Sequence, residues 1–137
     1  MRLLAGSVLA ALILVACGSA NTPSTAPSAP ATAITVDALV ADAATLDGRT
    51  VRVKGYLLAT DAGAMMCSLL LESYPPQCGG GVGLTGEIPA DVVAGLDKTT
   101  EPDLAQAMWG WVEVVGTVGA SGGAQTVALS EIRLAAP

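Results

Sequence analysis

The chain has 137 residues, with 12 acidic residues against 6 basic ones, a formal net charge of -6, and neither histidine nor phenylalanine. Past Arg2 the basic residues are scattered and form no basic run, so the surface offers little to a phosphate backbone and nucleic acid is excluded as a partner. Without histidine the chain lacks the commonest general base and the commonest metal ligand, and neither a metal site nor a cofactor is expected.

Arg2 precedes an apolar run from Leu3 to Val15, broken only by Gly6 and Ser7, in the order of a secretory n-region and h-region. The run is 13 residues long. A membrane-spanning helix asks for about 20 apolar residues, so the run reads as a cleaved signal. Leu14-Val15-Ala16-Cys17 resembles the lipobox of bacterial lipoproteins: branched apolar residues, a small residue before the cut, then the cysteine whose thiol takes the lipid. The resemblance implies that residues 1–16 are a signal peptide and that Cys17 carries acyl chains such as palmitate. The mature protein is then anchored at the extracytoplasmic face of the cell membrane. Each buried methylene contributes about 0.8 kcal/mol, so several chains hold where one binds marginally. The alternative is an ordinary secretory signal with Cys17 lying by chance near the cleavage point.

With Cys17 assigned to lipid, Cys67 and Cys78 remain in an exported domain and should pair as a disulfide. Closing a loop of this size contributes about 3 kcal/mol in the chain-entropy account. The alternative, a redox dithiol, is disfavoured because such sites use the close C-x-x-C spacing. Gly18 to Ala33, GSANTPSTAPSAPATA, is too rich in Pro, Ser, Thr and Ala to pack, so residues 17–34 read as the lipidated cysteine and an extended tether. The remaining residues, 35–137, suit one domain.

Within that domain Val36, Leu39, Val40, Ala43 and Leu46 follow helical spacing, Thr35 can cap the first turn, and Asp47-Gly48 ends it. Residues 49–58 alternate Val51, Val53 and Leu57 with Arg52, Lys54 and Tyr56, as a half-buried strand requires, and Gly55 suggests a bend or bulge. Residues 65–71, MMCSLLL, are a second strand without clean alternation, with a short helix as the alternative. ESYPPQCGGG, residues 72–81, reads as a disulfide-closed loop; no Gly-Lys-Ser/Thr follows that would make it a phosphate loop. A third strand should carry Val82, Leu84 and Ile88 on one face, and Pro89 opens a short helix through Leu96. Asp97, Glu101 and Asp103 fit no calcium-loop spacing and read as a solvated acidic loop.

Residues 109–118 form a fourth strand, 119–124 a hairpin turn, and 126–134 a fifth strand. Val127 and Leu129 differ in parity from Ile132 and Leu134, so a bulge near Ser130 is required if all four are buried. This order, helix, three strands, short helix, two strands, looks like an OB-fold: a mainly β, five-stranded barrel with an N-terminal helix and a short helix between strands three and four. DGRTVRVKGYLL, the segment from Cys67 to Cys78 with its ESYPPQC ending, and VEVVGTV also resemble the OB-fold-type small lipoproteins of high-GC Gram-positive bacteria. That group implies an envelope location and no assigned chemistry.

No nucleophile stands at a recognisable spacing from a base, so no catalytic residue is named. Trp109 and Trp111 share parity with Glu113 rather than with Val112 and Val114, which turns at least one of them outward, Trp111 foremost, and Tyr56 shares the outer face of its own strand. Tyr56, Tyr74, Trp109 and Trp111 are therefore the candidate binding residues, acting at the open side of the barrel on an acidic surface. An envelope protein or a neutral glycan is the expected partner. The competing reading has both tryptophans filling the core in place of phenylalanine or packing beneath the N-terminal helix. The expected role is a non-catalytic binding module; the alternatives are an envelope enzyme using carboxylates and an accessory subunit of a membrane complex.

Overall fold

The computed structural model describes Pro30 and residues 32–137; the expected signal segment, Cys17 and most of the expected tether lie outside the described residues. The domain starts earlier than residue 35. Ile34–Thr35 (β1) pairs in parallel with Val53 and Lys54 of β2 (Thr50–Thr60). The Arg52 Nε donates to the Pro30 carbonyl at 2.9 Å, which ties Pro30 to β2.

Thr35 caps α1 (Val36–Ala41) through its hydroxyl, which accepts from the Ala38 amide at 3.2 Å. The expected single helix is broken at Asp42, and Ala43–Leu46 forms a separate turn, α2. Val36, Leu39 and Ala43 make a narrow apolar stripe that seats on the barrel, whereas Val40, one helical step past Leu39, turns to solvent and is 41% exposed.

The main strands are β2, β3 (Gly63–Leu71), β4 (Gln77–Thr85), β6 (Ala107–Ser121) and β7 (Ala124–Leu134), with α3 (Ala90–Ala94) and the two-residue β5 (Asp97–Lys98) between β4 and β6. Hydrogen bonding runs β2-β3-β4-β7-β6 and returns from β6 to β2, in register from Thr50↔Thr117 to Thr60↔Ala107. Only the β4–β7 contact is parallel among the five. This is a closed, OB-like five-stranded barrel, with α1 ahead of it and α3 between its third and fourth strands. The inward positions of the strands supply Val51, Val53, Leu57, Met66, Val82, Val112, Val114, Val118, Val127 and Ile132, and α1 and the α3 segment close the core with Val36, Leu39, Val92 and Leu96. Branched aliphatic side chains together with Met66 fill the barrel, and neither tryptophan is in it.

Several boundaries shift for physical reasons. MMCSLLL is strand throughout, its alternation hidden by register shifts between Cys67 and Leu70. Gln77 to Gly81 belongs to β4, so the loop shrinks to residues 72–76, with a cis Tyr74–Pro75 bond. Ile88 follows the end of β4 yet still packs against the core, and the helix after Pro89 ends at Ala94. Ser121 pairs with Ala124, which leaves a two-residue Gly122-Gly123 turn at φ 60° and 83°; both residues take the left-handed values that a tight hairpin of this type requires. The bulge at Ser130 is present: Val115 pairs with Glu131 and Gly116 with Leu129, and the Ser130 hydroxyl donates to the Val115 carbonyl at 2.9 Å. Leu134 nevertheless remains 46% exposed, because β7 ends there beside Gly95.

Gly55 is neither bend nor bulge. The β2–β6 register passes through Gly55↔Val112 without a shift. A Cβ at Gly55 would lie 2.5 Å from Val36 Cγ2 and 3.1 Å from Met66 Cε, so the glycine is required by the close approach of α1.

Candidate functional site

Strand alternation places Tyr56 and Leu58 of β2 on the outer face, and the register sets them opposite Trp111 and Trp109 of β6 on one side and Cys67 and Met65 of β3 on the other. The Tyr56 and Trp111 rings meet edge to face at 5.9 Å and 90°. Tyr74, from the loop after β3, meets Trp109 the same way at 5.9 Å and 88°. The four aromatic residues picked out from the sequence thus come together as two pairs on one wall. That wall is closed by the β2–β6 ladder, so the expectation that they would stand at an open side of the barrel is corrected.

Beneath these rings lies a second, smaller apolar cluster of Leu58, Cys67 and Ala107, flanked by Tyr56, Met65, Cys78 and Trp109. The Cys67–Cys78 disulfide forms part of it, with a Cα–Cα separation of 5.2 Å, and ties β3 to β4 directly behind the aromatic wall. Trp109 is half-buried in this cluster, whereas Trp111 is 37% exposed and Tyr74 51% exposed.

Tyr74 is held from its polar end. Its hydroxyl accepts from the Thr100 amide at 3.2 Å and lies 3.1 Å from the Thr100 hydroxyl, which donates to Glu101 Oε2 at 2.9 Å. The Tyr74 and Thr100 hydroxyls hold the Glu101 carboxyl below its ordinary range. The buried Thr99 anchors the same loop, accepting from the Ala107 amide at 3.0 Å and donating to the Ala105 carbonyl at 3.1 Å. The acidic DKTTEPD stretch therefore includes a support for the aromatic wall. Tyr56 is perturbed as well: burial, and then the charge of Asp97, pushes its phenol upward.

Two of the clefts among the described residues are lined by β3. The first, about 330 Å³, lies between the β1–α1 junction and β3, with Tyr56, Trp111 and Leu70 as apolar walls and Asp37 and Lys54 at its margin. The second, about 360 Å³, lies over β3 and β4, its floor made largely of backbone at Gly63, Gly81 and Gly83, with Gln125 and Thr126 at its rim. The first combines aromatic faces with polar margins, as ligand sites usually do.

Sequence reasoning missed two features. One is the exposed run Leu69, Leu70 and Leu71, which the absence of alternation in MMCSLLL could have flagged. The other is Glu113, only 15% exposed, whose Oε1 accepts from Arg52 Nη1 at 2.6 Å and Arg133 Nη2 at 2.5 Å. These residues are far apart in sequence and only the register joins them. The Arg52 hydrogen bond is the main cause holding the Glu113 carboxyl below its ordinary value, against a smaller opposing effect of burial. Cys17 lies outside the described residues. Among the described residues no group of three or more His, Cys, Asp or Glu converges as a metal site would require. No known protein family, curated protein or solved structure matches the chain.

Proposed function

We propose that the protein is a lipid-anchored binding module of the cell envelope, held at the extracytoplasmic face of the membrane through Cys17 and engaging an envelope protein or neutral glycan through its outer aromatic wall. The observation that carries the binding role is the pairing of Tyr56 with Trp111 at the mouth of an apolar cleft, two rings left partly in solvent in a barrel that fills its core without them. Aromatic side chains give large contact area at low entropic cost, and the acidic balance disfavours phosphate-rich ligands. The anchoring role is supported by the short apolar run, the Leu14 to Cys17 pattern and the proline-rich stretch that follows, and the disulfide suits an oxidising compartment. No helix among the described residues is long and apolar enough to cross a membrane.

Fractionation of cells expressing Cys17→Ala tests the anchor: the protein should leave the membrane fraction, and retention there contradicts lipid anchoring. Crosslinking in intact cells tests the site. Trp111→Ala should lose the captured partner while its thermal melt stays cooperative; unchanged capture contradicts the aromatic wall as the contact.

A further inference from the structure

Although the barrel is closed, β2 and β3 diverge beyond the Tyr56↔Cys67 pair, and the chain itself half fills the space between them. β2 carries β3 only as far as the Tyr56↔Cys67 pair; toward the start of β2, the neighbour on that side is β1, at Val53 and Lys54. Leu69, Leu70 and Leu71 are paired with β4, but from Ser68 to Leu71 the other edge of β3 has no strand partner among the described residues. The cleft of about 330 Å³ occupies the space between this edge and the β1–α1 junction. Beside it Leu69, Leu70 and Leu71 are 57%, 38% and 43% exposed.

An edge of this kind presents main-chain donors and acceptors that pair readily with another strand, and folded proteins usually blunt it with lysine, proline or a covering element. Here β3 carries two register shifts, between Cys67 and Leu69 and between Leu69 and Leu70, which bend the edge locally, but no charged residue and no proline, and Leu70 and Leu71 beyond the shifts pair plainly with Cys78 and Gln77.

We propose that this edge takes an extended peptide by strand addition: the partner's main chain pairs with Ser68 to Leu71, and one of its uncharged apolar side chains enters the cleft against Tyr56, Leu70 and Trp111. The proposal rests on the binding-module reading and names the partner's chemistry. Past the second register shift, at Leu70 and Leu71, main-chain N–H and C=O groups left free among the described residues are matched by another extended main chain, which neither a glycan nor a lipid supplies. The ionisable margin of the cleft, Asp37 and Lys54, has one charge of each sign, so nothing selects a charged anchor. A second copy of this chain fits less well. The exposed parts of the three leucines and Trp111 amount to on the order of 300–400 Å², against about 800 Å² per partner in a standard stable interface. A short strand with one anchored side chain fits that smaller area.

The test uses the full chain in detergent, a phage-displayed library of random octapeptides, and counter-selection on Leu70→Lys. Peptides should enrich on the native chain, and a resynthesised winner should lose at least tenfold in affinity on Leu70→Lys and on Trp111→Ala. Both variants are checked by thermal melting, with Leu70→Thr replacing Leu70→Lys should the latter not fold. Single backbone N-methyl groups walked along that peptide should cost at least tenfold at alternate positions only, since every second amide of an added strand faces the edge. Uniform sensitivity, or none, overturns strand addition. So does the failure of any peptide to enrich; if Trp111→Ala still abolishes capture in cells, the binding-module reading then stands with a non-peptide partner. A dimer in sedimentation that Leu70→Lys dissociates also overturns the proposal, in favour of a second copy at the same edge.

Discussion

Replacing Gly55 by alanine puts a methyl carbon 2.5 Å from Val36 Cγ2, where carbon atoms normally rest about 3.5–4.0 Å apart, and 3.1 Å from Met66 Cε. The overlap of about 1 Å falls on a side chain that is itself 4% exposed, at the start of the helix that floors the aromatic cleft. Overpacking of this kind costs about 1–3 kcal/mol, offset by roughly 0.5–1 kcal/mol from replacing glycine within a regular element. The net expectation for Gly55→Ala is a loss of about 1–2 kcal/mol, or a melting temperature about 5–15 °C lower in a domain of about 100 residues. Val36→Ala alone should also destabilise, because it empties a buried site. The double variant should be more stable than the sum of the two losses predicts, by about 1–2 kcal/mol, since the space vacated by Val36 receives the new methyl. Urea denaturation of the four proteins reads this directly. Additivity within about 0.5 kcal/mol would refute the reasoning, because it would mean that Gly55 serves the local backbone and not the seating of α1.

Glu113→Gln should cost about 1–2 kcal/mol at pH 7, as expected for loss of charge-assisted hydrogen bonds at a mostly shielded site. The folded carboxyl titrates below its ordinary 4.5, so its contribution is present above that value and is lost as pH falls through the lower folded value; the gap to the variant in urea midpoint should close over that window, and a gap that widens there contradicts the ion-pair account. The spectrophotometric titration of Tyr56, taken as native minus Tyr56→Phe, should lie above 10.0 and move down in Asp97→Asn; a midpoint at or below 10.0 contradicts its burial beside Trp111 and the influence of Asp97.

Much of the barrel was legible because period-2 alternation survives wherever one strand face meets the core, as at Val51, Val53 and Leu57. The parity break between Leu129 and Ile132 located the Ser130 bulge, and the shared parity of Trp109, Trp111 and Glu113 pointed at least one tryptophan outward, where the register places both. What stayed hidden depends on tertiary register. Two-residue strands such as β1 and β5 carry no period, the bulged β3 scrambles its alternation, and a glycine required by another element's approach looks the same in sequence as a bend. The meeting of Arg52, Glu113 and Arg133, like that of Tyr74 with Trp109, exists only once distant strands and loops are aligned.

The account's central claim is that the face carrying Tyr56, Leu70 and Trp111 is where the partner sits, and in-cell photocrosslinking from defined positions tests it most directly. A photoreactive phenylalanine derivative is placed in turn at Leu70 and at Ala128, an exposed residue of β7 outside the lining of that cleft. The account predicts a discrete crosslinked product from position 70, none from position 128, and loss of the product when Trp111→Ala is added. The same product from both positions, or one from position 128 alone, would contradict it.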